Sequence, residues 1–312
     1  MVKDLARAGG DDSGASGPAG GRSGVRFLHS EAAPSAQRLR LGLLLRGLRR
    51  RADLMQKDVA RRLKWSESKI SRIETGTFNP KAVDLEQLAA LYAASCEESE
   101  RLRESAAHAN EPAWWQPWKG VSHPYLEAMV SCEDLAVRVR SYEPQILNGL
   151  LQAPAYAREL ISRGRGDQDL HEQLWQFRAE RQRRFTQDAG KSFFGVVDEA
   201  SLLRPVGTAA IMLEQFEHLL RLMDHGRFHL RLAEQSNPRV HTEIGPTTIF
   251  DFDEPMMPSV AYAELFDGSV AYQDTDMVDR RMQKFDALQV ASLNPAATRR
   301  RLHDLLRTYP RS

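Results

Sequence analysis

The chain is nearly devoid of cysteine: Cys96 and Cys132 are the only two in 312 residues, and they form no CxxC pair. That excludes a disulfide framework and a structural cysteine zinc site, and a reducing cytoplasm is the expected compartment. Long apolar runs are missing as well. The longest are a few residues, as in Leu43-Leu44-Leu45, against the ~20 that a membrane helix needs. No apolar leader of the secretory kind stands near the N-terminus, so neither secretion nor a membrane partner is expected. Phosphate-cradling patterns (P-loop, GxGxxG) and the GxSxG nucleophile elbow are also absent.

Three patterns begin and fail. Ser66-Glu67-Ser68-Lys69 fits SxxK but has no KTG or SDN companion. His225 and His229 stand four apart with no third ligand or HExxH neighbour. Asp274-Thr275-Asp276 opens like a calcium loop, yet Asp279 stands where glycine is needed and Phe285 where the closing glutamate belongs. Asp274 reads better as a helix N-cap. The expectation is a protein without catalysis, cofactor or metal.

What is present is an ordinary globular composition, 42% hydrophobic and 27% charged, with length for two domains of roughly 100–200 residues each. The net charge of +1 hides an uneven distribution. Residues 1–35 carry four basic and four acidic side chains. Residues 36–81 carry thirteen Lys/Arg against four Asp/Glu, a net +9, and residues 82–312 carry twenty-six against thirty-four, a net −8. A compact basic segment attracts polyanions, nucleic acid first among them.

Composition and periodicity divide the chain. Residues 1–35 hold seven of the twenty glycines and no helical or strand period, which predicts a disordered tail. Leu39, Leu43, Leu44, Leu48 and Leu54 then mark a helix, with shorter helices expected near 56–63, 66–74, 83–93 and 97–109. Residues 111–118, with Pro112, Pro117 and Trp114, Trp115 and Trp118, predict a linker sealed by its tryptophans against the next domain. Residues 119–312 read as mixed. Helices are expected at Tyr125–Arg140, Pro154–Arg163, Leu170–Asp188, Thr208–Met223, Asp274–Leu293 and Pro295–Tyr309. Strands are expected at Ser192–Val197, Phe228–Ala233, Thr247–Phe252, Val260–Phe266 and Ser269–Tyr272. The fold class is therefore an all-α domain of five helices (36–110) followed by an α+β domain with a small, mostly antiparallel sheet.

Met55–Lys81 carries the chemistry. With Gln56 opening a helix, small Ala60 falls where two helices cross, and Val59, Leu63, Trp65, Ile70 and Ile73 fall at packing positions. Ser66 suits an N-cap and Gly76 a left-handed C-terminal cap. Lys64 occupies a turn position that favours positive φ, at a cost of about 1 kcal/mol. The second helix exposes Glu67, Ser68, Lys69, Ser71 and Arg72. Such a helix enters a major groove.

This segment resembles the helix-turn-helix of the phage-repressor-like, xenobiotic-response-element class through Gln56, Val59-Ala60, Ser66, Ile70-Ser71, Ile73-Glu74, Gly76 and Pro80. Tyr142-Glu143-Pro144-Gln145, Gly149-Leu150-Leu151-Gln152 and Tyr156-Ala157 are similar to the signature of a large actinomycete regulator family with an antitoxin-like C-terminal domain. Asn148 and Ala153 replace its usual proline and threonine. The resemblance implies a lambda-repressor-like fold and sequence-specific regulation of transcription near the nucleoid. Gln56, Lys64, Ser66 and Lys69 would grip phosphates of double-stranded DNA. Glu67, Ser68 and Arg72 would read bases, with Ser71 on the same helix. One motif covers one half-site, so a homodimer is expected. Tyr142, Glu143, Gln145 and Gln152 are the candidates for binding a small partner protein encoded nearby, or, alternatively, a sensed small molecule.

Overall fold

The computed structural model describes residues 25–28, 34–121, 124–164, 166–240, 244–265, 268–272 and 274–310. Helix α1 (Ala36–Arg51) is capped by Ser35, whose side chain accepts from the Arg38 amide. Its leucines point inward on most sides, because α3, α4, α5 and α6 all pack around it. Arg49, Arg50 and Arg51 close its last turn, where the helix dipole favours positive charge. Helices α2 (Gln56–Leu63), α3 (Glu67–Glu74), α4 (Ala82–Leu91) and α5 (Cys96–Ala107) follow. At Gly42 a Cβ would lie 2.5 Å from the Glu74 carbonyl oxygen, so only glycine lets α1 and α3 approach this closely.

The C-terminal domain contains α6 (Pro124–Leu135), β2 (Arg138–Glu143), α7 (Pro154–Ser162), α8 (Gln168–Gln187), β3 (Ser192–Asp198), α9 (Glu199–Leu203), α10 (Ala209–Asp224), β4 (Phe228–Ala233), β5 (Thr247–Asp251), β6 (Val260–Leu265), β7 (Gly268–Tyr272), α11 (Thr275–Ala291) and α12 (Pro295–Thr308). Its six strands lie in the order β7-β6-β5-β2-β3-β4. Strands β2, β3 and β4 are parallel, and β5, β6 and β7 join antiparallel. The sheet is thus mixed, not mostly antiparallel. The crossovers through α7–α8 and α9–α10 carry enough chain to return each strand in the same direction.

Two further expectations fail. Tyr125–Arg140 is not one helix: α6 stops at Leu135, and Arg138–Glu143 is a strand in the middle of the sheet. Arg138 and Arg140 hide the strand period, because Arg140 reaches Asp251 of the neighbouring strand at 3.2 Å and so stays in a largely apolar sheet. Inside the expected tail, Val25–Leu28 forms β1, an antiparallel edge strand on β7. The rest of 1–33 lies outside the described residues.

Two apolar layers cover the sheet. Phe193, Phe228, Leu230 and Leu232 pack with Phe216 and Leu302 of α10 and α12, in a core continuous with that of the helical domain. On the other face Tyr142, Val196 and Ile249 meet Val278, Phe285 and Leu288 of α11. The linker tryptophans turn inward. Trp115 donates to Ser131, which donates to the Pro34 carbonyl, and Trp114 stacks on Phe177.

The two domains are clamped at the loop between β5 and β6. Arg101 of α5 contacts both carboxylate oxygens of Glu254, at 3.0 and 3.2 Å. At Gly47 a Cβ would fall 1.7 Å from the Met256 carbonyl oxygen. Gly47→Ala is therefore expected to force α1 and this loop apart, costing about 1–3 kcal/mol. A lower melting temperature with faster proteolysis at 252–257 is the expected measurement; an unchanged protein would show that the contact is slack.

Candidate nucleic-acid interface

Helices α2 and α3 and the turn between them form one unit. Val59 and Ala60 of α2 and Ile70 and Ile73 of α3 are buried against each other and against α1. Lys64 ends α2 in the left-handed region, φ 56°, and its side chain is exposed. Ser66 caps α3 by accepting from the Lys69 amide at 3.1 Å. Gly76 takes φ +72° and is packed so tightly on Arg38, Leu39 and Pro34 that a Cβ would lie 2.9 Å from each.

Glu74 fixes this arrangement. It is 1% exposed and receives the Arg49 Nε at 2.5 Å, the Arg49 Nη2 at 3.0 Å and the Gln56 Nε2 at 2.9 Å. Arg49 also donates to the Leu54 carbonyl. Burial works against the Arg49 charge, but the hydrogen bond and charge of Glu74 overcome it and hold its pKa above the ordinary value. Arg46, nearby on α1, has its pKa pushed down to about 10, chiefly by burial and despite Glu74. One carboxylate thereby ties together α1, α2 and α3.

Outside this buried knot the unit is polar and basic. Glu67, Ser68 and Arg72 are exposed on α3, and Lys57, Arg61, Arg62 and Lys64 are exposed on α2 and the turn. Arg72 lies 5.5 Å from the Phe78 ring, which supports its stem. Three of the expected contact residues sit differently. Gln56 spends an amide hydrogen on Glu74. Lys69 is half-buried, paired with Asp84 at 2.9 Å and lying 3.5 Å from the centre of the Trp65 ring. Ser71 is half-buried, and its carbonyl accepts from the Thr75 hydroxyl. Nothing in local sequence could reveal the Lys69–Asp84 pair, because α4 comes alongside only in the folded domain.

A helix-turn-helix domain family matches residues 40–105, the part that holds all of α2–α4. This is the DNA-binding part of a regulator. The domain of unknown function DUF5753 matches residues 126–304, more than half the chain. The chain belongs to the DUF5753 family. No curated protein and no solved structure matches it.

The DUF5753 domain places the four partner or ligand candidates unequally. Tyr142 is 1% exposed and donates to Asp198 at 2.8 Å. Gln152 is buried; it donates to the Leu147 carbonyl at 2.6 Å and accepts from Arg178. Both are interior residues with their hydrogen bonds made inside the chain. Gln145 is exposed, with its carbonyl held by Arg204. Glu143 is half-buried beside α8, and burial with the nearby charge of Glu264 pushes its carboxyl up to about 8. Asn148, where the resembled family has proline, caps the turn Gly149–Leu151 and donates to Ser141 at 3.0 Å. Among the described residues no group of three His, Cys, Asp or Glu could hold a metal ion, and no helix is long and apolar enough to cross a membrane.

Proposed function

We propose that the chain is a sequence-specific transcriptional regulator of the xenobiotic-response-element class, without catalytic activity, that works beside the nucleoid in the cytoplasm. The observation that carries this reading is the exposed polar face of α3, flanked by exposed cations and mounted on the Arg49–Glu74–Gln56 knot. Glu67, Ser68 and Arg72 would meet base edges; arginine prefers guanine O6 and N7, and glutamate accepts from cytosine N4. Ser66, Lys64 and the remaining donors of Gln56 would meet phosphates. Lys69 must leave Asp84 to do so, and Ser71 supports the helix more than it contacts DNA. A homodimer would present two such units to the two half-sites of an operator.

For the DUF5753 domain we propose an antitoxin-like role in recruiting a small protein encoded nearby. Exposed Ile146, in the loop after β2, and Leu203, the last residue of α9, at 42% and 43%, stand next to Gln145 and Arg204, which are joined by a hydrogen bond, and they support that reading. The alternative, a domain that senses a small molecule, is supported by an open cleft of about 470 Å³ between α10, β4 and α12, lined by Met223, Phe228, His229, Arg299 and Arg300.

Mapping of bound DNA across the genome, followed by titration of one bound site, tests the regulator reading. Arg72→Ala is expected to cost about 1–3 kcal/mol on that site and to relax preference at one or two base pairs. Equal losses on the site and on random duplex would remove Arg72 from base recognition.

A further inference from the structure

Strand β4 is the outermost strand at its end of the sheet, and its free edge is only partly closed. At Leu232 the edge is sealed. The Leu232 N–H donates to the Thr298 hydroxyl at 3.0 Å, and the Leu232 carbonyl accepts from the Leu293 N–H at 2.9 Å. Main-chain groups alternate sides along a strand, so Leu230 turns the same two groups outward, away from β3. Among the described residues no hydrogen bond meets them there. This stretch of edge opens into the cleft of about 470 Å³ between the end of α10, β4 and the first turns of α12.

The cleft is apolar at its floor and cationic at its rim. Phe228 and Leu230 are buried at its base, with Met223 and Pro295 beside them. Arg299 and Arg300 occupy successive positions of α12 at the rim, and among the described residues no Asp or Glu lines the cleft. Arg299 is paired with Asp224 at 2.8 Å, but both side chains are exposed. Such a pair contributes little and gives way to a better partner. Arg300 is exposed and has no ion pair among the described residues. A Cβ at Gly226 would meet nothing within 4 Å, so the mouth is clear on the α10 side.

An apolar floor, an unpaired main-chain N–H and two arginines around one small cleft are complementary to a molecule with an apolar body and one negative charge. We propose that this cleft binds an aromatic monocarboxylate. Its ring lies on Phe228 and Met223, whose thioether suits an aromatic neighbour. The arginines and the Leu230 N–H supply the donors for its carboxylate. Acetate or phosphate would leave the floor bare, and a neutral arene would leave the donors unmatched. A second copy of this face would set arginine against arginine. Binding here rests on the sensor reading of the DUF5753 domain and uses no residue of the DNA-contacting helix.

Calorimetry on the full chain tests this with benzoate, phenylacetate and naphthoate as probes. Saturable binding of at least one is expected. Naphthyl methanol, which keeps the ring and lacks the charge, should bind at least tenfold more weakly than naphthoate, and acetate should not compete. Arg299→Gln and Arg300→Gln made together should weaken binding at least tenfold. Ala296 is exposed on the cleft wall, so Ala296→Trp should fill the space and abolish binding. If one of these variants fails to melt cooperatively, the other carries the test. Absence of saturable binding up to millimolar concentration, equal binding of naphthyl methanol, or binding that either folded variant retains in full would overturn the proposal. A separate titration of DNA with and without the bound probe addresses the sensor reading. Binding that leaves DNA affinity unchanged would keep the site and discard the sensor role.

Discussion

Raising monovalent salt from about 50 to 200 mM is expected to weaken binding of duplex DNA about a thousandfold or more. Each phosphate neutralised releases counterions, with a slope in log affinity against log salt of about −0.9 per contact. A dimer using several of its exposed cations per half should show a slope of about −5 or steeper. Lys57, Arg61, Arg62, Lys64 and Arg72 are exposed on α2, its turn and α3, within a segment of net +9. The remainder from residue 82 onward has net −8, so it adds repulsion and no compensating contact. Fluorescence anisotropy at four or five salt concentrations measures the slope. A flat response would remove the DNA-binding reading altogether.

Glu74→Ala is expected to destabilise the helical domain by about 3–5 kcal/mol, since it leaves the buried Arg49 charge without its partner. The same change releases Gln56, so α3 loses its tie to α2 as well as to α1. Replacing Arg49 and Glu74 together by methionine should recover most of that loss, because apolar pairs of similar volume often match a buried ion pair. Denaturant unfolding of the single and double variants gives the coupling directly. A Glu74→Ala loss under about 1 kcal/mol would mean that water reaches Arg49 and that the knot does not set the geometry of α3. The distinction bears on function, because a loosened α3 would present Arg72 and Ser68 to the groove in many orientations.

The helix-turn-helix was legible from residues alone because its determinants are local. Ser66 caps the helix that begins one residue later, Lys64 and Gly76 take up positive φ in turns a few residues wide, and the apolar spacing of Val59, Ile70 and Ile73 follows the 3.6-residue period. Most helices and the strands at 192, 228, 247, 260 and 269 were legible for the same reason. The strand Arg138–Glu143 was not, since Arg140 is accommodated by Asp251, far along the chain, and Arg138 lies over the ring of Phe194 on the neighbouring strand. Neither was β1, four residues whose strand form exists only against β7. The direction of β2, β3 and β4 was equally hidden, because parallel pairing depends on crossovers and leaves no alternation to read.

The basic helix-turn-helix, its capping residues, the acidic remainder and the absence of any complete catalytic motif are written in the chain itself. Each of these is a property of neighbouring residues or of simple counting. Packing alone decided that Lys69 faces Asp84, that Tyr142 and Gln152 are interior, and that Arg178 donates to Gln152. Those outcomes depend on which helix lies against which strand. Burial and charge pairing between residues tens of positions apart follow from packing, and no periodicity in the chain encodes them.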